Sequence, residues 1–179
     1  MTVHRRTALT YVLSLVVATI ATACAITSEG LAPTQPVKPA RQIDQTVRIM
    51  PVEGGRASTF GREAYITNEQ FHEALSRTLT DAKVFAAIKK DGADLDLHSE
   101  IITVTTEGGV SPAYAIVVQY WLVDPATGKE VWRKGINARH QVQWNEAFAG
   151  GTRVIMAVNG ATQKNLTRLV EALADSELR

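Results

Sequence analysis

Few side chains in this sequence combine reactive chemistry with a spacing that would let them act together. Asp94, Asp96 and His98 stand at i, i+2 and i+4 in the run DLDLH. Alternate residues of a β-strand project from one face, so two carboxylates and an imidazole would share a surface suited to a divalent cation. The same alternation has a plainer reading, in which Leu95 and Leu97 face a core and the three polar groups face water. No second cluster of ligand residues accompanies them, so no metal is expected. His72 and His140 stand alone, with no Ser or Asp at a spacing that suggests a triad. Gly54-Gly55-Arg56 and Gly150-Gly151-Thr152-Arg153 could each offer backbone N–H groups to an anion, the second at a helix start. Neither has the spacing of a nucleotide-binding loop, and both read as turns. The expectation is therefore a non-enzymatic protein with no cofactor and no catalytic residue. Trp121, Trp132 and Trp144 are the more informative set. All fall on one expected hairpin, and tryptophan commonly anchors interfaces, so the three form the candidate partner surface beside the alternative of simple packing in the sheet.

Cys24 is the only cysteine in the chain. It follows a basic start (His4, Arg5, Arg6), a charge-free run from Thr7 to Ala23 and a small-residue exit, Ala21-Thr22-Ala23. A basic n-region, an apolar h-region and such an exit form a secretory signal over residues 1–23. The run is near the lower limit for spanning a bilayer and carries five serine and threonine residues, which makes a retained membrane helix a poor alternative. A soluble secreted protein with an incidental cysteine is the other. Arg5-Arg6 reads as an ordinary basic n-region, because the rest of a twin-arginine signal is missing. Cysteine directly after the exit resembles the bacterial lipobox, although Ala21 stands where that motif usually has Leu. The resemblance implies that Cys24 becomes the mature first residue, acylated with chains such as palmitate. Ala25, in place of the aspartate that retains enterobacterial lipoproteins in the inner membrane, implies the outer membrane.

With the signal gone, 17 of the 19 basic residues remain against 18 acidic ones. A near-neutral chain with no basic stripe argues against nucleic acid as a partner. The remaining length is that of one ordinary domain with a tail, enough for a core without disulfides. With Cys24 acylated, no thiol is left for a disulfide, a nucleophile or a cysteine-based zinc site.

The elements follow from periodicity. Residues 24–45 carry Pro33, Pro36 and Pro39 at every third position among polar residues and read as a tether, with an irregular arm packed on the domain as the alternative. The domain itself is expected over 46–179. Thr46–Val52 alternates and forms a first strand, placed near an edge by Pro51. Thr67 and Gln70 form a capping box for a helix whose Phe71, Ala74, Leu75, Thr78, Leu79 and Ala82 share one face. Asp94–Thr106 is a strand, and Ala113–Val123 is a strand so apolar that at least partial cover on both faces is expected. A turn at Asp124–Lys129 returns the chain through Glu130–Trp144 as a long hairpin. The last helix follows Gly150-Gly151-Thr152, with Val154 to Leu173 as its buried stripe and Gly160 inside it. The order β-α-β-β-β-α gives an α+β fold: a mainly antiparallel sheet with two helices packed on one face.

Four segments, Phe71–Leu75, Leu95–Ile101, Tyr120–Gly128 and Ala161–Leu169, resemble small Gram-negative envelope lipoproteins of the YajG-like kind and the auxiliary lipoproteins of envelope ABC transporters. What this resemblance implies is an accessory protein held to the membrane by its lipid and bound to an envelope partner. It carries no catalytic residue across.

Overall fold

The structure is a computed structural model that describes residues 26–57 and 65–178. The signal segment and Cys24 lie outside the described residues. The fold is α+β: a five-stranded, mostly antiparallel sheet and three helices. In chain order these are α1 (Ser28–Leu31), β1 (Ile43–Glu53), α2 (Asn68–Ala82), β2 (Phe85–Ile88), β3 (Leu95–Glu107), β4 (Ala113–Asp124), β5 (Lys129–Gln141) and α3 (Gly150–Ala174). The sheet order is β2-β1-β3-β4-β5. β3, β4 and β5 are antiparallel neighbours, whereas β1 runs parallel to both β2 and β3.

Period two decides which side of the sheet is the core. Tyr114, Ile116, Val118, Tyr120 and Leu122 of β4 are buried, and the residues between them are half-exposed. Their rung partners Leu97, Ile101, Ile136 and Ala138 are buried on the same side, where α2 and α3 lie. Among the described residues, the cover expected on both faces of β4 is therefore present on one only. Phe71, Ala74, Leu75, Thr78, Leu79 and Ala82 form the buried stripe of α2, as their spacing predicts. The capping box is also present: Thr67 Oγ1 accepts from Gln70 N, and Gln70 Oε1 accepts from Thr67 N.

Several elements differ from expectation. β2 is a four-residue strand at the sheet edge, paired in parallel with β1, which places Phe85 in the core. β1 starts at Ile43, earlier than the Thr46 boundary, and its register against β3 shifts between Ile49 and Val52. Exposed Pro51 falls in that irregular stretch, where a residue without an N–H costs the ladder least. The segment before β1 is a packed arm and not a free tether. Leu31 is fully buried, Gln163 Nε2 donates to Gly30 O at 2.8 Å, and the Arg41 guanidinium donates to Ser176 O at the far end of α3.

Candidate functional site

The sheet face opposite the helices has no element over it among the described residues. Its centre is a row running across three strands. His98 of β3 and Arg133 of β5 flank Trp121 of β4 in register. The His98 and Trp121 rings stack with centroids 5.1 Å apart and planes 8° from parallel. The Arg133 guanidinium lies 5.0 Å from the Trp121 ring centroid, a cation–π contact. Glu130 holds that guanidinium with both carboxylate oxygens, and this pairing depresses the Glu130 pKa and raises that of Arg133.

One rung away, Arg48 of β1 meets Asp96 of β3 in a two-pronged ion pair at 2.8 and 2.6 Å. Asp96 is only 7% exposed, and its hydrogen bond to Arg48 raises the guanidinium pKa further. Glu100 and Gln119 occupy the next rung. The face is thus a set of flat or forked side chains fixed in position by stacking and ion pairing. Such a surface can recognise a partner, but it offers no open ligand set and no poised nucleophile.

The residues singled out in the sequence separate cleanly. Asp94, Asp96 and His98 do share the open face, but each is already engaged. Asp94 accepts from both the backbone N and the hydroxyl of Thr46, which together hold its carboxyl below the usual range. Asp96 is tied to Arg48, and His98 lies flat on Trp121. Among the described residues no cluster of three metal-binding side chains is present. His72 lies on α2. His140 sits at the inner side of β5 against Gly160, with Lys164 Nζ 3.0 Å from its Nδ1. Gly54 packs over the Ile101 carbonyl with a φ of +79°, and Gly55 N donates to Asn68 Oδ1, so this glycine pair is a turn. Gly150 and Gly151 are already inside α3.

The three tryptophans do not form one surface. Trp121 is on the open face. Trp132 pairs with Leu122 on the opposite, helix-bearing side and packs against the core. Trp144 lies beyond the end of β5, in the loop to α3, and is 65% exposed. What the sequence did not single out are Arg48, Glu130 and Arg133, the charged frame around Trp121. The alternation that places Arg133 on one face of the hairpin was the available signal.

A separate cleft of about 830 Å³ runs between α2 and the edge formed by β1 and β2. Ile49, Met50, Leu79, Phe85 and Ile88 line it together with Ser76 and Lys83.

No protein-family model matches the chain, and no curated protein matches it. Solved structures do. Protein XCC0632 of Xanthomonas campestris, carrying the family label DUF330, matches with 16% identity and a TM-score of 0.61, over 79% of this chain and 92% of that one. Protein CT253 of Chlamydia trachomatis matches with 13% identity and a TM-score of 0.56, over 73% and 96%. At these identities the likeness is one of fold. A minor lipoprotein of Acinetobacter baumannii is a looser neighbour, with 10% identity and a TM-score of 0.46 over 72% and 91%.

Proposed function

We propose that this chain is a lipid-anchored protein of the bacterial outer membrane, acylated at Cys24, whose α+β domain faces the periplasm and binds or scaffolds an envelope partner without catalysing a reaction. The anchor reading rests on the signal-like segment ending at Cys24. The binding reading rests on one observation, the His98–Trp121–Arg133 row on a sheet face that no described element covers. A face so preorganised has little side-chain freedom left to lose on association, which favours binding per unit area. Aromatic and arginine side chains are also the types that dominate interface energetics.

The test is capture of the partner. The full chain, tagged at its C terminus, is crosslinked in envelopes and purified in mild detergent. One recurring partner should be lost in Trp121→Ala and in Arg133→Ala while both variants stay folded and membrane-bound. Unchanged capture in both variants contradicts the assignment of this face. Cys24→Ala should move the chain out of the outer-membrane fraction, and normal fractionation of that variant contradicts the anchor.

A second reading, an accessory subunit of an ABC-type lipid or solute transport system, is favoured by the cleft beside α2. Its apolar wall of Ile49, Met50, Leu79, Phe85 and Ile88 suits an acyl chain, and Lys83 in the same lining suits a headgroup. Native mass spectrometry of the protein extracted from envelopes should then show bound phospholipid beyond the N-terminal anchor. A lipid-free domain contradicts this second reading and leaves the first.

A further inference from the structure

Three of the five large apolar side chains that are exposed among the described residues lie at one pole of the domain. β3 ends at Glu107, β4 begins at Ala113, and Ala113 pairs with Gln141 at the end of β5. Two loops leave this end, 108–112 and 142–149, and Val142 N donates to Pro112 O between them at 3.0 Å. On them Val110 is 69% exposed, Trp144 65% and Phe148 105%. Glu146 is the only charged residue in the two loops, and Gln143 N donates to its carboxylate at 2.6 Å.

The longer loop is braced from inside. Arg153 of α3 donates through Nη1 to the carbonyls of Trp144, Ala147 and Phe148 at 3.4, 2.5 and 3.2 Å. Its carbonyls turn inward to this guanidinium while its aromatic side chains remain outside. The loop also stands proud of the sheet. Gly160 abuts His140, close to the strand end, and α3 begins ten residues earlier. At 1.5 Å of rise per residue, the first turn of α3 reaches about 15 Å beyond that level.

The chain that precedes the described residues departs from the same half of the domain. From Arg41, bonded to Ser176 O at the end of α3, the arm runs back along that helix to Gly30, bonded by Gln163. It ends at Ile26, whose carbonyl accepts from Gln70 Nε2 in the first turn of α2 at 2.8 Å. Cys24 is two residues further back, a reach of roughly 7 Å when extended.

We infer that this pole docks in the interfacial layer of a lipid bilayer, with Trp144, Phe148 and Val110 inserted among the headgroups. Trp and Phe on a braced loop with almost no charge match the chemistry of that layer, where aromatic residues concentrate. The start of the arm supplies the choice of occupant. An anchor attached two residues before Ile26 holds this half of the domain at a membrane, so the inference rests on the Cys24 reading of the proposed function.

The test uses the full chain purified from envelopes and reconstituted into vesicles of phosphatidylethanolamine and phosphatidylglycerol. The vesicles are prepared with and without a phosphatidylcholine whose brominated acyl chains quench nearby indoles. Quenching of the wild type should be lost in Trp144→Phe, reduced in Phe148→Ser and retained in Trp121→Phe. Equal quenching in wild type and Trp144→Phe overturns the docking and leaves the pole to a protein partner. The intact mass of the same preparation reads the anchor separately. Acylated Cys24 with unquenched Trp144 defeats the docking alone, whereas quenched Trp144 on a chain without lipid supports the docking and removes the anchor. A chain without lipid and with unquenched Trp144 defeats both.

Discussion

His140 and Gly160 show how single residues fix the fold. A Cβ built on Gly160 would lie 2.2 Å from Cδ2 and 2.6 Å from Cγ of the His140 ring. Helix propensity alone would make Gly160→Ala stabilising by about 1 kcal/mol. Overpacking of this kind costs about 1–3 kcal/mol, so the substitution should lower the denaturant midpoint, and a raised midpoint would contradict the packing. The sequence shows a glycine inside a helix but not the neighbour that requires it, because His140 is twenty residues away. The His140 ring also carries a pH prediction. Burial first, then the nearby Lys164 charge, lower its pKa, with Glu146 pulling the other way. The folded state then binds fewer protons than the unfolded chain, so the contribution is complete above the unfolded value of about 6.5 and is lost as pH falls through the folded one. Chemical denaturation across this window should show a decline on acidification that His140→Gln lessens. An identical pH profile in the variant would contradict it. Asn165, fully buried, accepts from Tyr120 Oη at 2.6 Å and donates to Ile136 O at 2.8 Å. Asn165→Leu leaves both groups without that partner and should cost about 3 kcal/mol, read from the same denaturation curves.

Elements with a strong local signature were legible, and those defined by distant pairing were not. α2 announces itself through Thr67, Gln70 and the stripe from Phe71 to Ala82, all local signals. Thr67→Ala should cost about 1 kcal/mol by removing the cap, and an unchanged thermal midpoint would contradict that role. β2 has only the sequence FAAI and exists because β1, some forty residues earlier, offers a parallel edge. The expected hairpin overran its true end for a related reason. Alternation continues through Val142 and Trp144, but the ladder stops where β4 begins at Ala113, so Trp144 leaves the sheet. The arm before β1 was read from its prolines as a tether. Leu31 and Ala32 are buried and Ile26 and Val37 pack against the core, and these four apolar side chains, spread over twelve positions, give no periodic signal. At the candidate site, sequence found Trp121 and the shared face of Asp96 and His98. The cross-strand partners Arg48 and Arg133 needed the register.

At the scale of the molecule, one sheet is covered by helices on one side, no described element covers the other, and one pole carries exposed aromatic loops. Among the described residues no helix is long and apolar enough to cross a membrane. With the pole docked as proposed, the His98–Trp121–Arg133 row would stand on the side of the domain, within reach of a neighbouring protein. The packed arm strengthens the point, since a domain tied at Ile26 has far less freedom to tumble than one on a twenty-residue leash. The anchoring in this picture depends on the state of Cys24. The most direct measurement is the intact mass of the protein extracted from envelopes, with fragmentation of its N terminus. The expected result is a chain that begins at Cys24 and carries acyl groups on that residue. A mature chain that begins elsewhere, or that keeps a free Cys24 thiol, would contradict it.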